Sequence, residues 1–225
     1  MTKYHIFIIN LDRSKDRWGY YKGIKEVKRH KAVDGKKDKI SKKYLDKMIS
    51  LPSIKPQNHK TKVACFLSHY TLLKHIVDNK INNAIICEDD TFIDIKKINK
   101  LKLPQDNIVY LGGWLQSLLV KDNSKFNHKK WTRTFKKGLN KINKDKYRII
   151  GAYGYYIPTW KLAKELYDNI TEQKRWRHFD ILLFRFEKTK SFIYPALIYA
   201  NENALDSILG HTDIKYKQRE YFKYY

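Results

Sequence analysis

Apolar and polar residues alternate in blocks along the chain, and three short apolar blocks have the composition of buried strands. They span residues 4–10 (YHIFIIN), 84–87 (AIIC) and 108–111 (IVYL), and each is followed by polar residues or glycine. Short continuous runs rich in Ile, Val and aromatic residues are typical of strands that are covered on both faces. A glycine-punctuated apolar segment at 149–157 and an extended segment at 192–201 follow.

Helical periods of apolar residues separate these strands. In residues 62–79 the apolar positions recur close to i, i+3, i+4 and i+7, which predicts a helix with one buried face. Shorter helices are predicted at 16–26, at 41–50 with Ser41 as N-cap, at 159–170 and at 178–186. Strands that alternate with helices predict an α/β fold, in which helices flank a mainly parallel sheet.

The length and composition favour one domain without a membrane anchor. The 225 residues are enough for one sizeable core and contain neither repeats nor a Gly/Ser linker, so we predict a single domain over 1–225. No stretch reaches the ~20 apolar residues of a membrane span, and the first residues lack the apolar core of a secretory signal. Cys65 and Cys87 show neither a disulfide framework nor metal-ligand spacing, which favours a reducing, cytoplasmic location.

The chain is strongly basic, since 47 Lys and Arg against 23 Asp and Glu give a formal net charge of +24. This charge invites a nucleic-acid-binding interpretation. However, the lysines are spread along the chain, acids interrupt the densest stretches at 36–47 and 121–146, and no zinc-finger, RRM or helix-turn-helix pattern stands out. We therefore expect a solvated lysine-rich surface that attracts anionic ligands without specific nucleic-acid recognition.

Residues that carry chemistry follow three of the predicted strands. The tripeptide Glu88-Asp89-Asp90 follows strand 84–87, while Asn10-Leu11-Asp12-Arg13 and Gly112-Gly113-Trp114 follow the other two. Open α/β sheets bind ligands at the carboxyl ends of their strands. Three neighbouring carboxylates repel one another, and a cation that prefers oxygen ligands, Mg²⁺ or Mn²⁺, removes that repulsion. The alternative for the tripeptide is an exposed acidic turn.

A series of different short motifs follows along residues 4–213. They are N-L-x-R-S-x-x-R (Asn10 to Arg17), A-V-D-G (Ala32 to Gly35), C-x-x-S-H (Cys65 to His69), E-D-D (Glu88 to Asp90), G-x-x-G-Y (Gly151 to Tyr155), a later Asp180, Tyr194-Pro195 and, approximately, a terminal S-x-I element at Ser207-Ile208. In this order the sequence resembles glycosyltransferase family 25, the lipopolysaccharide and procollagen galactosyltransferase family.

This resemblance implies a GT-A type fold with a single Rossmann-like sheet, a UDP-sugar donor and a DxD-type site for Mn²⁺ (or Mg²⁺). It also implies inverting transfer of a hexose, with galactose or glucose expected, to a hydroxyl of a glycan or glycosylated acceptor. In such a reaction the metal stabilises the leaving UDP while a base deprotonates the acceptor. Two other interpretations stay open: a nucleic-acid-binding protein, on the charge alone, and an inactive scaffold of the same family.

The resemblance also assigns donor-binding residues. Those implied to receive the nucleotide at the end of the first strand are Asn10, Leu11, Arg13 and Arg17, with Asp34 approaching the nucleoside from a loop. The alternatives are a solvated helix face on which the arginines pair with Asp12 or Asp16, and a plain turn at Asp34. Ser68 and His69 lie near the start of the predicted 62–79 helix, where helix N-termini favour phosphate. The alternative for His69 is a partly buried helix residue.

Among the acids, Asp90 is the first metal ligand that the resemblance implies. Glu88 shares its face if the strand geometry persists, and contributes to metal or ribose binding, while Asp89 points the other way and holds the loop. Glu88 and Asp89 are both counted among the implied donor-binding residues. His211 is a candidate late metal ligand.

The acceptor side is assigned on the same resemblance. Asp180 is the candidate base, and its alternative is a helix cap. Gly151, Gly154 and Tyr155 are implied to be donor-binding residues. The two glycines let the backbone approach the donor sugar or acceptor, and their alternative is tight packing. The lysine-rich stretch 121–146 contains no family motif and is a candidate acceptor loop.

Overall fold

The computed structural model describes residues 4–49, 58–118 and 135–200, apart from the side chains of Ser117 and Ala200. The strands in these ranges are β1 (His5–Asn10), β2 (Val27–Lys31), β3 (Ala84–Glu88), β4 (Thr91–Ile93), β5 (Ile108–Ser117), β6 (Gly138–Lys141), β7 (Tyr147–Ile157), β8 (Thr189–Tyr194) and β9 (Ile198–Ala200). The helices are α1 (Lys15–Gly19), α2 (Lys42–Lys47), α3 (His59–Asp78), α4 (Ile95–Ile98), α5 (Trp160–Glu172) and α6 (Phe179–Arg185).

Most predicted elements are confirmed. The three apolar runs form β1, β3 and β5, and the long helix is α3. The helix predicted at 16–26 is wrong in extent, because α1 ends at Gly19. Strand β2, which follows at residues 27–31, was not predicted. The sequence of β2, VKRHK, lacks an apolar run because this strand lies at the edge of the sheet with its charged side chains in solvent.

The main sheet has seven strands in the order β2-β1-β3-β7-β5-β8-β6, and β4 pairs separately with β9. Strand β1 runs parallel to β2 and β3, and β5 runs parallel to β8. However, β7 runs antiparallel to both β3 and β5, and β6 runs antiparallel to β8. The sheet is therefore mixed, which corrects the expectation of a mainly parallel sheet. An apolar run indicates that a strand is buried, but it does not indicate whether the strand pairs parallel or antiparallel with its neighbours.

Both faces of the sheet are covered, and β1 shows how. Its side chains alternate between two hydrophobic clusters: Phe7 and Ile9 lie in the cluster that includes α3, and Ile6 and Ile8 lie in the cluster on the other face. All four are at most 7% exposed. Burial on both faces explains why residues 6–9 are all apolar rather than alternating with polar residues.

The register of the first strands places the candidate site. β1 and β3 are parallel neighbours with Ile9 opposite Glu88. Consequently Asn10 and Leu11 emerge from the sheet beside Asp89 and Asp90. The two motifs are almost 80 residues apart in sequence, and strand pairing alone brings them to one edge of the sheet.

Candidate active site

A pocket of about 710 Å³, including the part open to solvent, lies at the carboxyl ends of β1 and β3. Its walls are the segments that follow β1, β2 and β3, together with one face of α3. The charged residues that line it are Arg13, Arg17, Asp34, Lys36, Glu88, Asp89 and Asp90.

Asp89 is buried and ties the two strand ends together. Its Oδ2 accepts a 2.6 Å hydrogen bond from Nδ2 of Asn10, and its Oδ1 lies 3.3 Å from Nε of Arg17. Burial raises the pKa of Asp89, and the charge of Arg17 and the bond from Asn10 offset part of that rise. Arg29 of β2 donates to Oδ1 of Asn10 at 2.7 Å. Arg29 could not be assigned from the sequence, because β2 lacks the apolar run that predicts a buried strand.

Asp34 pairs with Arg13 in the segment after β2. Its Oδ1 also accepts a 2.8 Å hydrogen bond from the backbone N–H of Lys36. Burial alone would raise the pKa of Asp34, but the bonds from Arg13 and the backbone outweigh it, and the pKa lies below its usual value. The pairing of the motif arginines with Asp12 or Asp16 is therefore not found; Asp12 pairs with Arg29 and Lys31 instead.

Glycine is required beside this pair. A Cβ at Gly35 would lie 2.7 Å from the Cα of Thr61 on α3, so the A-V-D-G segment can pass the helix only without a side chain there. This contact places the Asp34 carboxylate at the wall of the pocket. Asp34-Gly35 can therefore form a turn and also face a ligand in the pocket.

Glu88 and Asp90 also line the pocket, and their environments differ. Oε1 of Glu88 lies 3.3 Å from Nε2 of His69. Oδ1 of Asp90 is buried and has no hydrogen-bond partner among the residues that the structure describes. Burial, followed by the charges of Glu88 and Asp89, raises the pKa of Asp90 to about 7. A buried carboxylate oxygen that lacks a partner beside two further acids fits a divalent cation, because the ion would supply the missing partner and cancel the repulsion.

Ser68 and His69 lie at the middle of α3, not at its start, because the helix begins at His59. The helix N-terminus therefore cannot present them to phosphate, which corrects that part of the sequence interpretation. Oγ of Ser68 accepts from the N–H of Val33 at 2.9 Å and donates to the carbonyl of Ala64 at 2.8 Å. Ser68 thus fastens the segment after β2 to the helix.

His69 is 1% exposed and connects the sheet to the acidic tripeptide. Its Nδ1 lies 3.1 Å from the hydroxyl of Tyr155, its Nε2 faces Glu88, and its ring stacks on Phe179 at a centroid distance of 4.4 Å. Tyr155 itself is fully buried. The structure therefore places Tyr155 behind His69, where it orients the imidazole.

Asp180 lies in the first turn of α6 and links that helix to β7. Its Oδ2 accepts from the N–H of Gly151 at 3.0 Å and its Oδ1 from the N–H of Ile181 at 2.8 Å. The N-cap position belongs to His178, which makes no side-chain cap bond. Asp180 therefore serves the helix end, but by a bridge to the sheet rather than as the N-cap.

The two motif glycines have different surroundings. Gly151 has a φ of +81°, a conformation that favours glycine, and a Cβ there would meet the ring of Tyr153 at 3.0 Å. A Cβ at Gly154 would lie 2.4 Å from Cδ1 of Ile198 in β9. Gly154 thus allows close packing against a neighbouring strand.

Two further residues of the site were not assigned from the sequence. Burial raises the pKa of Tyr153, and the charges of Glu88, Asp90 and Asp180 add to the rise, so this hydroxyl lies within electrostatic range of all three acids. The thiol of Cys65 is exposed at the pocket wall, four residues before His69 on α3. The i, i+4 spacing of Cys65 and His69 in the sequence could have indicated that both side chains lie on one face of the helix.

The remaining candidates lie outside the described residues. These are His211, the Ser207-Ile208 element and most of the lysine-rich stretch, of which only the part from residue 135 onward is described. That part contains β6.

The fold and this pocket define a class of protein: an α/β protein with a pocket at the carboxyl ends of β1 and β3. The family model for glycosyltransferase family 25, described as an LPS biosynthesis protein family, matches residues 3–183. The chain therefore belongs to glycosyltransferase family 25.

Similar proteins carry a related name. The chain is 34% identical over 113 residues to procollagen galactosyltransferase 2 of Homo sapiens, and 31% identical over 126 residues to procollagen galactosyltransferase 2 of Mus musculus. These matches cover 46% and 48% of this chain but only 18% and 20% of the two relatives. The chain thus spans about a fifth of their length. No helix within the described ranges has the length and apolar character to cross a membrane.

Proposed function

We propose that this glycosyltransferase moves a hexose from a UDP-sugar to a hydroxyl of a glycan or glycosylated acceptor, with a divalent cation at the acidic tripeptide. The observation that carries the proposal is the partnerless, buried Oδ1 of Asp90 beside Glu88 at the wall of the pocket. A structural acid would have its oxygens paired inside the protein. This oxygen instead has the surroundings of a ligand whose partner comes from outside.

Glu88 and Asp90 would hold the cation, and Mn²⁺ or Mg²⁺ suits their oxygen ligands. When bound, the cation supplies a Lewis acid that stabilises the negative charge of the departing diphosphate. Asp89 is engaged by Asn10 and Arg17, so it keeps the strand ends in register rather than facing the donor.

The nucleotide would lie along the segments after β1 and β2. Lys36 lines the pocket and forms no ion pair within the described part of the chain, so its charge is available to an anionic donor. Arg13 and Arg17 are held by Asp34 and Asp89 at the same wall. Positive side chains around a cleft raise the local concentration of a diphosphate.

Asp180 is the proposed base for the acceptor hydroxyl, in a single displacement that inverts the sugar. Two backbone N–H groups fix its carboxylate, which leaves further lone pairs to accept a proton. Burial raises the pKa of Tyr153, and the charges of Glu88, Asp90 and Asp180 add to that rise, so its hydroxyl lies within electrostatic range of the proposed base and of the tripeptide. We also propose a GT-A type fold, on the support of five strands that share one direction and a pocket at the carboxyl ends of β1 and β3.

The test is a hydrolysis screen of UDP-sugars with and without Mn²⁺, because many transferases slowly hydrolyse their donor. UDP-galactose is the first donor to test, since the relatives carry the name galactosyltransferase. We expect one UDP-hexose to be hydrolysed only with the metal, and UDP with Mn²⁺ to raise the melting temperature. Absence of both effects, with binding to polyanions that salt removes, would favour the nucleic-acid interpretation. UDP binding without turnover would favour an inactive scaffold.

A further inference from the structure

Three side chains of different chemistry meet at one wall of the pocket. Cys65 and His69 lie four residues apart on α3 and therefore share a face of the helix, and Glu88 at the end of β3 faces them. One ligand atom from each lies within 4.8 Å of the other two. We propose that Cys65, His69 and Glu88 form a second metal site, for a borderline-soft divalent cation such as Zn²⁺ or Co²⁺.

The ligand types favour this class of cation. A thiolate, an imidazole and a carboxylate select Zn²⁺ over Mg²⁺ or Mn²⁺, and three protein ligands leave a fourth position open to solvent. Nitrogen and oxygen ligands about 2.0 Å from a tetrahedral zinc ion lie about 3.3 Å apart. Nε2 of His69 and Oε1 of Glu88 are 3.3 Å apart. Cys65 is exposed to the pocket, so its sulfur can be reached from solution.

The imidazole is already oriented for this role. Its Nδ1 bonds to the hydroxyl of Tyr155, and stacking on Phe179 fixes the ring plane. A ligating histidine usually donates its other ring N–H to such a partner, which sets the tautomer that leaves the second nitrogen free for the metal. Tyr155 can accept from Nδ1, so that Nε2 presents its lone pair toward Glu88.

This site differs from the oxygen-ligand position, but the two share Glu88. The carboxylate of Asp90 is not part of the Cys65 cluster. A Zn²⁺ ion that engages Glu88 withdraws it from the position beside Asp90. We therefore expect Zn²⁺ to inhibit the transferase even when Mn²⁺ is in excess, a consequence that rests on the proposed function. The binding of Zn²⁺ itself does not rest on it.

Co²⁺ is the probe for binding, added to the full chain without nucleotide or acceptor. We expect a thiolate-to-cobalt charge-transfer band that Zn²⁺ abolishes by displacement. Cys65→Ser should remove the band, and Tyr155→Phe should weaken Co²⁺ affinity about 10–100-fold. His75→Asn, an exposed histidine on the same helix, and Cys87→Ala, the buried cysteine, are the matched controls and should retain the band. Absence of the band in the parent protein, or its persistence in Cys65→Ser, would overturn the site.

Inhibition is tested by UDP-sugar hydrolysis at fixed Mn²⁺ with increasing Zn²⁺, and each variant is normalised to its own zinc-free rate. The Zn²⁺ concentration for half inhibition should rise at least tenfold in Cys65→Ser and stay unchanged in His75→Asn. Equal inhibition in the parent and Cys65→Ser would refute the shared use of Glu88. The two proposals fail separately: a cobalt band without any hydrolysis removes the transferase assignment, whereas hydrolysis without a cobalt band removes the metal site.

Discussion

Replacing Asp180 by Asn separates a catalytic role from a structural one. The carboxylate accepts two backbone hydrogen bonds, from Gly151 on β7 and from Ile181 on α6. The Asn side chain keeps one oxygen and turns an NH₂ group toward the other donor, so one bond to a charged acceptor is lost. Such a bond contributes about 1.5–3 kcal/mol. Because Asp180 is only partly buried, we expect about 1.5–2 kcal/mol, which is a fall of about 3–8 °C in melting temperature for a chain of this size.

A base contributes much more to the rate than this bond contributes to stability. Loss of a general base lowers kcat by ~10²–10⁴-fold, and kcat/KM falls with it. UDP and Mn²⁺ affinity should change little, because neither hydrogen bond of Asp180 involves the acidic tripeptide. Melting temperature, UDP affinity and transfer rate are measured on one preparation. Asp168→Asn, at a half-exposed acid paired with Lys164 on α5, is the control and should alter neither rate nor stability appreciably. A destabilised Asp180→Asn protein with normal turnover would refute the base assignment and leave only the bridge.

Three shorter predictions follow from the same structure. Asp90→Asn should abolish the Mn²⁺-dependent part of UDP binding, seen by calorimetry, without lowering the metal-free melting temperature, because it removes a buried charge; wild-type turnover would contradict the site. Gly154→Ala should destabilise by about 1–3 kcal/mol in chemical unfolding, since its Cβ meets Ile198, whereas Gly19→Ala, with open space, should not. DNA binding should be weak, sequence-independent and steeply salt-dependent in a filter assay; sequence discrimination at physiological salt would contradict the solvated-surface interpretation.

Local patterns predicted the elements that are buried in the simplest way. Residues 6–9 of β1 and 84–87 of β3 are all apolar because both faces of these strands are covered, and α3 repeats its apolar positions with the helical period. The acidic tripeptide could be placed at a sheet edge for the same reason, since it follows a buried strand directly. β2 was not predicted because an edge strand with solvated charges lacks the apolar run by which buried strands are recognised.

The direction of pairing and the partners of polar groups could not be predicted locally. β7 is as apolar as a parallel strand, yet it pairs antiparallel with β3 and β5. Arg13 has acids nearby in sequence but pairs with Asp34, 21 residues away. The strand directions and the ion pairs depend on the free energy of the whole sheet and of the charges packed against it. The sequence of a single segment does not determine that free energy.

The amino-acid sequence by itself determined the family, the main elements and the edge of the sheet at which the acids lie, because these depend on local composition and on motif order. Tertiary structure alone decided which motif residues face the pocket. Tyr155 reaches His69 across 86 residues of sequence, and Asn10 reaches Asp89 across 79. Those contacts bury His69, Tyr155 and Asn10 as supports for the acidic tripeptide, and they leave Asp90 with a buried oxygen that has no partner in the described structure. The physical reason is that burial and pairing are properties of the packed chain, and motif spacing encodes neither.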